Sequence, residues 1–267
     1  MRIVIKIGTS TLTHKTGRLN IRQMEVMCKV LSDIKNAGHE IILVSSGAIG
    51  MGVGKLNLSG RPADMPTKQA AAAVGQCELM YVYDKLFSEY NHTVAQILLN
   101  ADDVKDPHRR TNISNTLEKL LELRTTPVLN ENDAVGTDEI GVTTTIGEND
   151  TLSAIVAELV RADILIILSD IDGLYTSDPR KNPEARLISE VHEITDEIKA
   201  GAGGGGTALS SGGMATKLNA AKICMEAGTD MIIVNGSDPS VLYKILDGKP
   251  IGTHFISVRP ANRRKIK

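Results

Sequence analysis

The amino-acid sequence predicts an α/β protein, a three-layer αβα sandwich around a mostly parallel central sheet. Three observations lead there. Residues 3–7 (IVIKI) and 41–44 (IILV) flank an amphipathic helix pattern, and each run ends in small residues, Gly8-Thr9-Ser10 and Ser45-Ser46-Gly47. That is a βαβ unit, whose strands must lie parallel. The pattern recurs along the chain, with residues 164–168 (ILIIL) as the most continuous apolar strand. A glycine-crowded stretch from Gly201 then stops at Met214, where Met214, Leu218, Ala221 and Met225 resume helical spacing.

Taken in order, Asn20 is placed to cap the first long helix, with Gln23 as capping-box partner. Ile21, Met24, Met27, Val30, Leu31 and Ile34 form its apolar face, and Gly38 ends it. A second helix is expected over 67–90, a strand over 94–99, a helix over 115–123 and a strand over 127–129 that breaks into the polar loop Asn130-Glu131-Asn132-Asp133. Residues 142–146 read as a hairpin arm delivering Gly147-Glu148-Asn149-Asp150 to a helix over 152–160. Beyond the strand 164–168 come surface turns at Asp178-Pro179 and Asn182-Pro183, and a helix over 193–200. The glycine stretch, a strand over 231–234, a helix over 239–246 and a strand over 254–258 complete the chain. One domain spanning 1–267 is expected, with lobes 1–160 and 161–267.

Composition narrows the function. The chain has 267 residues, a formal net charge of −2 and 3% aromatics, so neither a basic field nor a base-stacking surface points to nucleic acid. The basic tail at 263–267 reads as a solvated terminus. Cys28, Cys77 and Cys224 are odd in number and lack C-x-x-C spacing, which fits reduced thiols. No signal peptide or membrane-length apolar run is apparent, and the expected location is cytoplasmic. Six histidines are scattered without a catalytic pattern.

Two nucleotide motifs fail. Gly201, Gly203 and Gly206 match G-x-G-x-x-G, but a helix pattern rather than a strand precedes them, and G-x-x-x-x-G-K-[ST] is absent. A glycine-rich loop feeding a helix start nevertheless leaves backbone N–H groups to meet a phosphate, with Lys217 adding charge in the first turn. The plain alternative is a flexible loop before a helix. In an open parallel sheet ligands gather at the carboxyl ends of strands. Those ends hold Lys6 to Ser10, Ser45 to Gly47, Asn130 to Asp133, and Ser169-Asp170, to which loops add Asn149, Asp150 and Lys217. The set contains lysines, carboxylates, amides and hydroxyls, with no metal-ligand cluster. Phosphoryl transfer asks for positioning and charge neutralisation, and a carboxylate acceptor needs no general base at pH 7. Each residue also has a bland reading: Lys6 could snorkel, Ser46 could cap its helix, and Asp133 and Asp150 could be turn formers.

Six blocks, Val4-Ile-Lys-Ile-Gly-Thr-Ser10, Val44-Ser-Ser-Gly-Ala-Ile49, Asn130-Glu-Asn-Asp-Ala-Val135, Asn149-Asp-Thr-Leu-Ser-Ala154, Asp172-Gly-Leu-Tyr-Thr-Ser-Asp-Pro179 and Gly212-Gly-Met-Ala-Thr-Lys217, together resemble the amino acid kinase family. The resemblance runs from the first strand to about Thr253 and preserves block order. It implies that ATP donates its γ-phosphate to the side-chain carboxylate of L-glutamate, the first step of proline synthesis. It implies that glutamate meets Ser46, Asn130, Asp133 and Asn149. ATP would meet Lys6, Gly8, Ser169, Asp170 and the run Ser211, Gly212, Gly213, Met214, Ala215, Thr216 and Lys217. Lys6 and Lys217 would flank the transferred phosphoryl group, with Asp150 holding both lysines, and Mg²⁺ would arrive with the nucleotide. Proline as feedback inhibitor, glutamyl phosphate reductase as partner and a homo-oligomer are further expectations. Glu148 stands where the family pattern has aspartate, and no C-terminal PUA domain is expected. The rivals are kinases of the same family acting on N-acetylglutamate, aspartate, carbamate or a nucleoside monophosphate, and a non-catalytic nucleotide-binding regulator.

Overall fold

The computed structural model describes residues 1–14, 18–136, 149–201 and 213–258. The expected hairpin arm at 142–146, Glu148, Ser211, Gly212 and the basic tail lie outside the described residues.

The elements run β1 (Arg2–Ile7), α1 (Thr9–Leu12), α2 (Ile21–Asn36), β2 (Glu40–Ser45), α3 (Ala48–Lys55), α4 (Met65–Ser88), β3 (Val94–Leu99), α5 (Ala101–Lys105), α6 (Pro107–Glu122) and β4 (Thr126–Glu131). Then come α7 (Asn149–Leu159), β5 (Ile164–Ser169), β6 (Glu190–Val191), α8 (Asp196–Gly201), α9 (Met214–Glu226), β7 (Asp230–Asn235), α10 (Val241–Leu246) and β8 (Thr253–Phe255). Among the described residues the strands form one sheet in the order β3-β4-β2-β1-β5-β7-β8-β6. Every pairing is parallel except β7 with β8. Residues up to 160 supply one half of this sheet and later residues the other, and the halves meet where β1 pairs with β5. This is the α/β architecture that the sequence predicts.

Helices cover both faces because the strands are apolar on both. Along β1, Ile3, Ile5 and Ile7 enter the core under α2 and α4, while Val4 enters the core under α7 and α9. Strand side chains alternate with a period of two. Lys6 therefore points to the α7 and α9 face, at a position where an apolar residue would simply extend that core. The same alternation holds in β5, with Leu165 and Ile167 on one face and Ile164, Ile166 and Leu168 on the other.

Several elements depart from the sequence reading for visible reasons. Helix α6 begins eight residues before the expected start, at Pro107, with Asp106 accepting from the Arg109 N–H as its cap. Only Leu117 and Leu121 are buried along it, so its first two turns carry no apolar period. Asn20 does cap α2 through the Gln23 N–H, but the Gln23 side chain donates to the carbonyls of Gly236 and Ser237 instead of closing a capping box. Ile21 is exposed and lies off the apolar face. Strand β6, two residues long, gives no period to read.

Helices α3 and α4 touch backbone to backbone. A Cβ at Gly75 would lie 1.7 Å from the Ala48 carbonyl oxygen, and one at Gly52 would lie 1.8 Å from that of Ala71. Gly47, left-handed at φ +103°, turns the chain from β2 into α3. This approach brings the buried face of α4 against the residues that follow Ser46.

Candidate active site

Two side-chain clusters meet at the start of α7. In the first, Asp150 lies between two lysines: its Oδ1 is 2.8 Å from Lys6 Nζ and its Oδ2 accepts from Lys217 Nζ at 3.1 Å. Thr216 Oγ1 also donates to Asp150 Oδ2, at 3.1 Å, and to the Gly213 carbonyl at 2.8 Å. The carboxylate is 1% exposed, and the Lys6 and Lys217 side chains 11% and 6%. Burial by itself pushes the Asp150 carboxyl up, but the Coulomb field and hydrogen bonds of the two ammonium groups outweigh it. They hold the group below the usual carboxylate range, so it is ionised at neutral pH.

Local structure treats the charges of this cluster differently. Lys217 sits in the first turn of α9, where the helix dipole is positive and disfavours a cation. Asp150 sits in the first turn of α7, where the dipole favours its charge by about 0.3–1 kcal/mol. Among the described residues the cluster sets two ammonium groups around one carboxylate.

The second cluster is a run of amides. Asn149 Nδ2 donates to Ser46 Oγ at 2.8 Å and to Asn130 Oδ1 at 3.0 Å. Asn130 Nδ2 donates to Gln76 Oε1, and Gln76 Nε2 to Gln96 Oε1, both at 3.0 Å. Asn149 Oδ1 is buried and has no hydrogen-bond partner among the described residues. A cavity of about 450 Å³ adjoins this cluster, lined among others by Ala48, Gln76, Cys77, Gln96 and Asp133.

Lys6, Asp150, Thr216 and Lys217 thus come together, as do Ser46, Asn130 and Asn149, and adjacency of Asn149 and Asp150 joins the groups. Asp133 stands at the cavity rather than in the amide run. Ser169 and Asp170 lie at the carboxyl end of β5, next to β1, with Ser169 Oγ donating to Asp170 Oδ1 at 3.3 Å. A Cβ at Gly8 would lie 3.6 Å from Lys6 Nζ, so the glycine keeps space open beside that ammonium. Gly213 is the N-cap of α9, and Met214 and Ala215 occupy its first turn. The sequence reading missed Gln76 and Gln96. The signal for Gln76 was present: it falls on the buried face of α4 with Ala72, Leu79 and Tyr83, where a glutamine needs a partner.

Both oxygens of Asp150 face ammonium groups, whose charge disfavours a metal ion beside it. Among the described residues no group of three His, Cys, Asp or Glu could hold one. Chemically, the site offers two cations around a small space at the carboxyl ends of β1 and β5, with an amide and hydroxyl cluster on the β2 and β4 side. That division suits a polyanion on one side and a small polar molecule on the other.

Known proteins are similar to this chain in sequence and in fold. The family model described as "Amino acid kinase family" matches residues 1–235. A glutamate 5-kinase of Clostridium perfringens is 53% identical over 256 residues, covering 96% of this chain and 95% of the relative. One of Listeria monocytogenes is 52% identical over 256 residues, covering 96% and 93%. Among solved structures, carbamate kinase from Giardia lamblia bound to AMP-PNP superposes with a TM-score of 0.67 at 19% identity, covering 96% of this chain and 98% of that one. The structural likeness speaks for the fold, and the family match and the sequence identities for descent: the chain belongs to the amino acid kinase family.

Proposed function

We propose that this protein is a kinase that transfers the γ-phosphate of ATP to the side-chain carboxylate of L-glutamate, giving L-glutamyl 5-phosphate for proline biosynthesis. The observation that carries the chemistry is the Lys6–Asp150–Lys217 cluster. The acceptor is a carboxylate, already ionised, so the barrier to attack is repulsion between two anions. Preorganised cations at the reacting centre lower that barrier in the transition state, where charge is most spread. About half of all aligned residues are shared with glutamate 5-kinases along nearly the whole chain, which supports glutamate as acceptor.

In this reading the half of the sheet built by residues 1–160 takes glutamate, and the half from 161 takes ATP. Ser46, Asn130, Asp133 and Asn149 serve the amino acid. Gly8, Ser169, Asp170 and Gly213 to Lys217 serve the nucleotide. Asp133 supplies a negative charge for the α-ammonium, which an N-acetylated substrate would not need. Lys6 and Lys217 flank the phosphoryl group in flight, and Asp150 keeps their ammonium groups apart from each other and aimed at it. Mg²⁺ would be carried by phosphate oxygens, neutralising part of their charge. Proline, which shares the α-carboxylate and a cationic nitrogen, would compete at the glutamate site.

The test is ADP release that depends on glutamate, Mg²⁺ and protein, with hydroxylamine trapping a γ-glutamyl hydroxamate from the acyl phosphate. Turnover of N-acetylglutamate with none of glutamate would overturn the assignment.

A further inference from the structure

The amide run has a direction, and one backbone group sets it. Asn130 Oδ1 accepts from the Glu131 backbone N–H at 3.0 Å. A backbone N–H cannot be turned into an acceptor, so this contact decides which end of the Asn130 amide is oxygen. Its Nδ2 must then face Gln76, and Gln76 must present Oε1 to it. Gln76 Nε2 is left to donate to Gln96 Oε1. On the other side, Asn149 must present Nδ2 to Asn130 Oδ1, and the same nitrogen donates to Ser46 Oγ. Both Asn149 donors are thereby used. Its Oδ1 becomes a buried acceptor without a partner among the described residues, and Ser46, having accepted, keeps its own proton to give. A buried unsatisfied oxygen costs about 1–3 kcal/mol, so its retention calls for a donor that arrives with a ligand.

We propose that Gln76, held by Gln96, is a positioning residue for recognition of the substrate's α-ammonium group: through Asn130 it locks Asn149 Oδ1 as the acceptor for that group. This rests on the proposed glutamate kinase activity and names two residues outside the sites assigned above. Gln76 is 8% exposed and lies on α4, while Gln96 is an exposed residue of β3. The run therefore ties two further elements to the amino-acid end of the site. Without Gln76 the Asn130 Nδ2 loses its only described acceptor, and the amide is held through its oxygen alone, by the Glu131 N–H and Asn149 Nδ2. It then rotates more freely, and Asn149 alternates between presenting oxygen and presenting nitrogen to the ligand. An ammonium group meets repulsion in the states that present nitrogen, whereas a ligand without one is indifferent.

The experiment compares kcat/KM for glutamate and for glutarate, which keeps both carboxylates and lacks the amine. In Gln76→Met the ratio of the two should fall roughly 10-fold, the scale of one hydrogen bond to a charged group. The fall should come from KM for glutamate, with kcat and KM for ATP little changed. Gln76→Glu retains an oxygen for Asn130 Nδ2 and should recover most of the ratio. Gln96→Leu, on the exposed side of the run, should shift the ratio in the same direction by about 3-fold, as for a neutral hydrogen bond. It decides alone if Gln76→Met does not fold. Equal losses for both substrates, or an unchanged ratio, overturn the inference while leaving the kinase assignment standing. An unsubstituted protein that does not phosphorylate glutamate overturns that assignment, and this inference with it.

Discussion

Replacing Asp150 with asparagine tests the charge cluster most directly, because the two side chains have nearly the same shape. The variant keeps an oxygen and gains an amide, so Thr216 Oγ1 retains an acceptor, but Lys6 and Lys217 lose their common counter-ion. All three side chains are largely out of water. Removing one partner from a buried ion pair costs about 3–5 kcal/mol. For a chain of 267 residues, each kcal/mol corresponds to about 2 °C in Tm, so Asp150→Asn should melt about 6–10 °C lower. The pH dependence has a definite sign. The Asp150 carboxyl is depressed in the folded state, so its contribution is present above the unfolded value near about 3.9 and is lost as pH falls through the lower folded value. The difference between the two proteins should be constant at neutral pH and close only in strong acid. On the proposed function ATP brings negative charge to the same lysines, so it should raise the Tm of the variant more than that of the parent. Differential scanning fluorimetry with and without nucleotide reads all of this, and circular dichroism confirms that both proteins are folded. A variant melting within about 1 °C of the parent, with the same nucleotide shift, would refute the view that Asp150 neutralises the two lysines.

Other expectations follow from the same geometry. Lys217→Met should lower kcat roughly 10²–10³-fold, with a smaller change in glutamate KM, since on the proposed function the cation acts on the transferring phosphoryl group; near-parental kcat in a folded variant would make Lys217 a bystander. Gly75→Ala would place a methyl group 1.7 Å from the Ala48 carbonyl oxygen, so α3 and α4 must separate. Chemical denaturation should show a loss of about 1–3 kcal/mol, and glutamate KM should rise as Ser46 shifts with α3. Of the three cysteines, Cys77 is exposed, whereas Cys28 and Cys224 are buried and burial pushes both thiols up, Cys28 to about 12. Ellman titration of the native protein should therefore find one fast thiol, rising to three on denaturation. Glutamate should slow that reaction, because Cys77 lines the cavity beside Gln76.

What the sequence made legible divides by range. The strand cores could be read because a parallel sheet covered on both faces demands unbroken apolar runs, as in β1, β2 and β5. Lys6 stood out against such a run, and the turn residues behind each strand marked the ligand edge. Helix α6 was read short because its first turns face solvent, so no apolar period marks them. Pairings across the chain were legible only through the family resemblance. No local pattern says that Asp150 on α7 will meet Lys6 on β1 and Lys217 on α9, because a three-dimensional crossing of two helices over one strand decides it. Nor does it say where the unused valence of an amide run will fall. The Gln76 position carried a local cue, a polar residue on a buried face, but the identity of its partners depended on the α3–α4 approach that Gly52 and Gly75 allow.

That dependence bears on how the site can exist before any substrate arrives. Two unit charges of one sign about 4 Å apart repel by about 4 kcal/mol in surroundings of intermediate polarity. A pair of neighbouring lysines would by itself splay into solvent. Asp150 opposes this from the start of α7, where the helix dipole already favours its charge. With Asp150 between them the two cations stay assembled in the folded chain. The amide run solves the corresponding problem for the amino acid: it leaves a single acceptor unsatisfied where a full carboxylate, packed next to Asp150, would compete for the lysines. A neutral oxygen can receive the α-ammonium without drawing Lys6 or Lys217 away from the phosphoryl group. On the proposed function, asparagine rather than aspartate at position 149 keeps a second carboxylate away from the Asp150–lysine cluster.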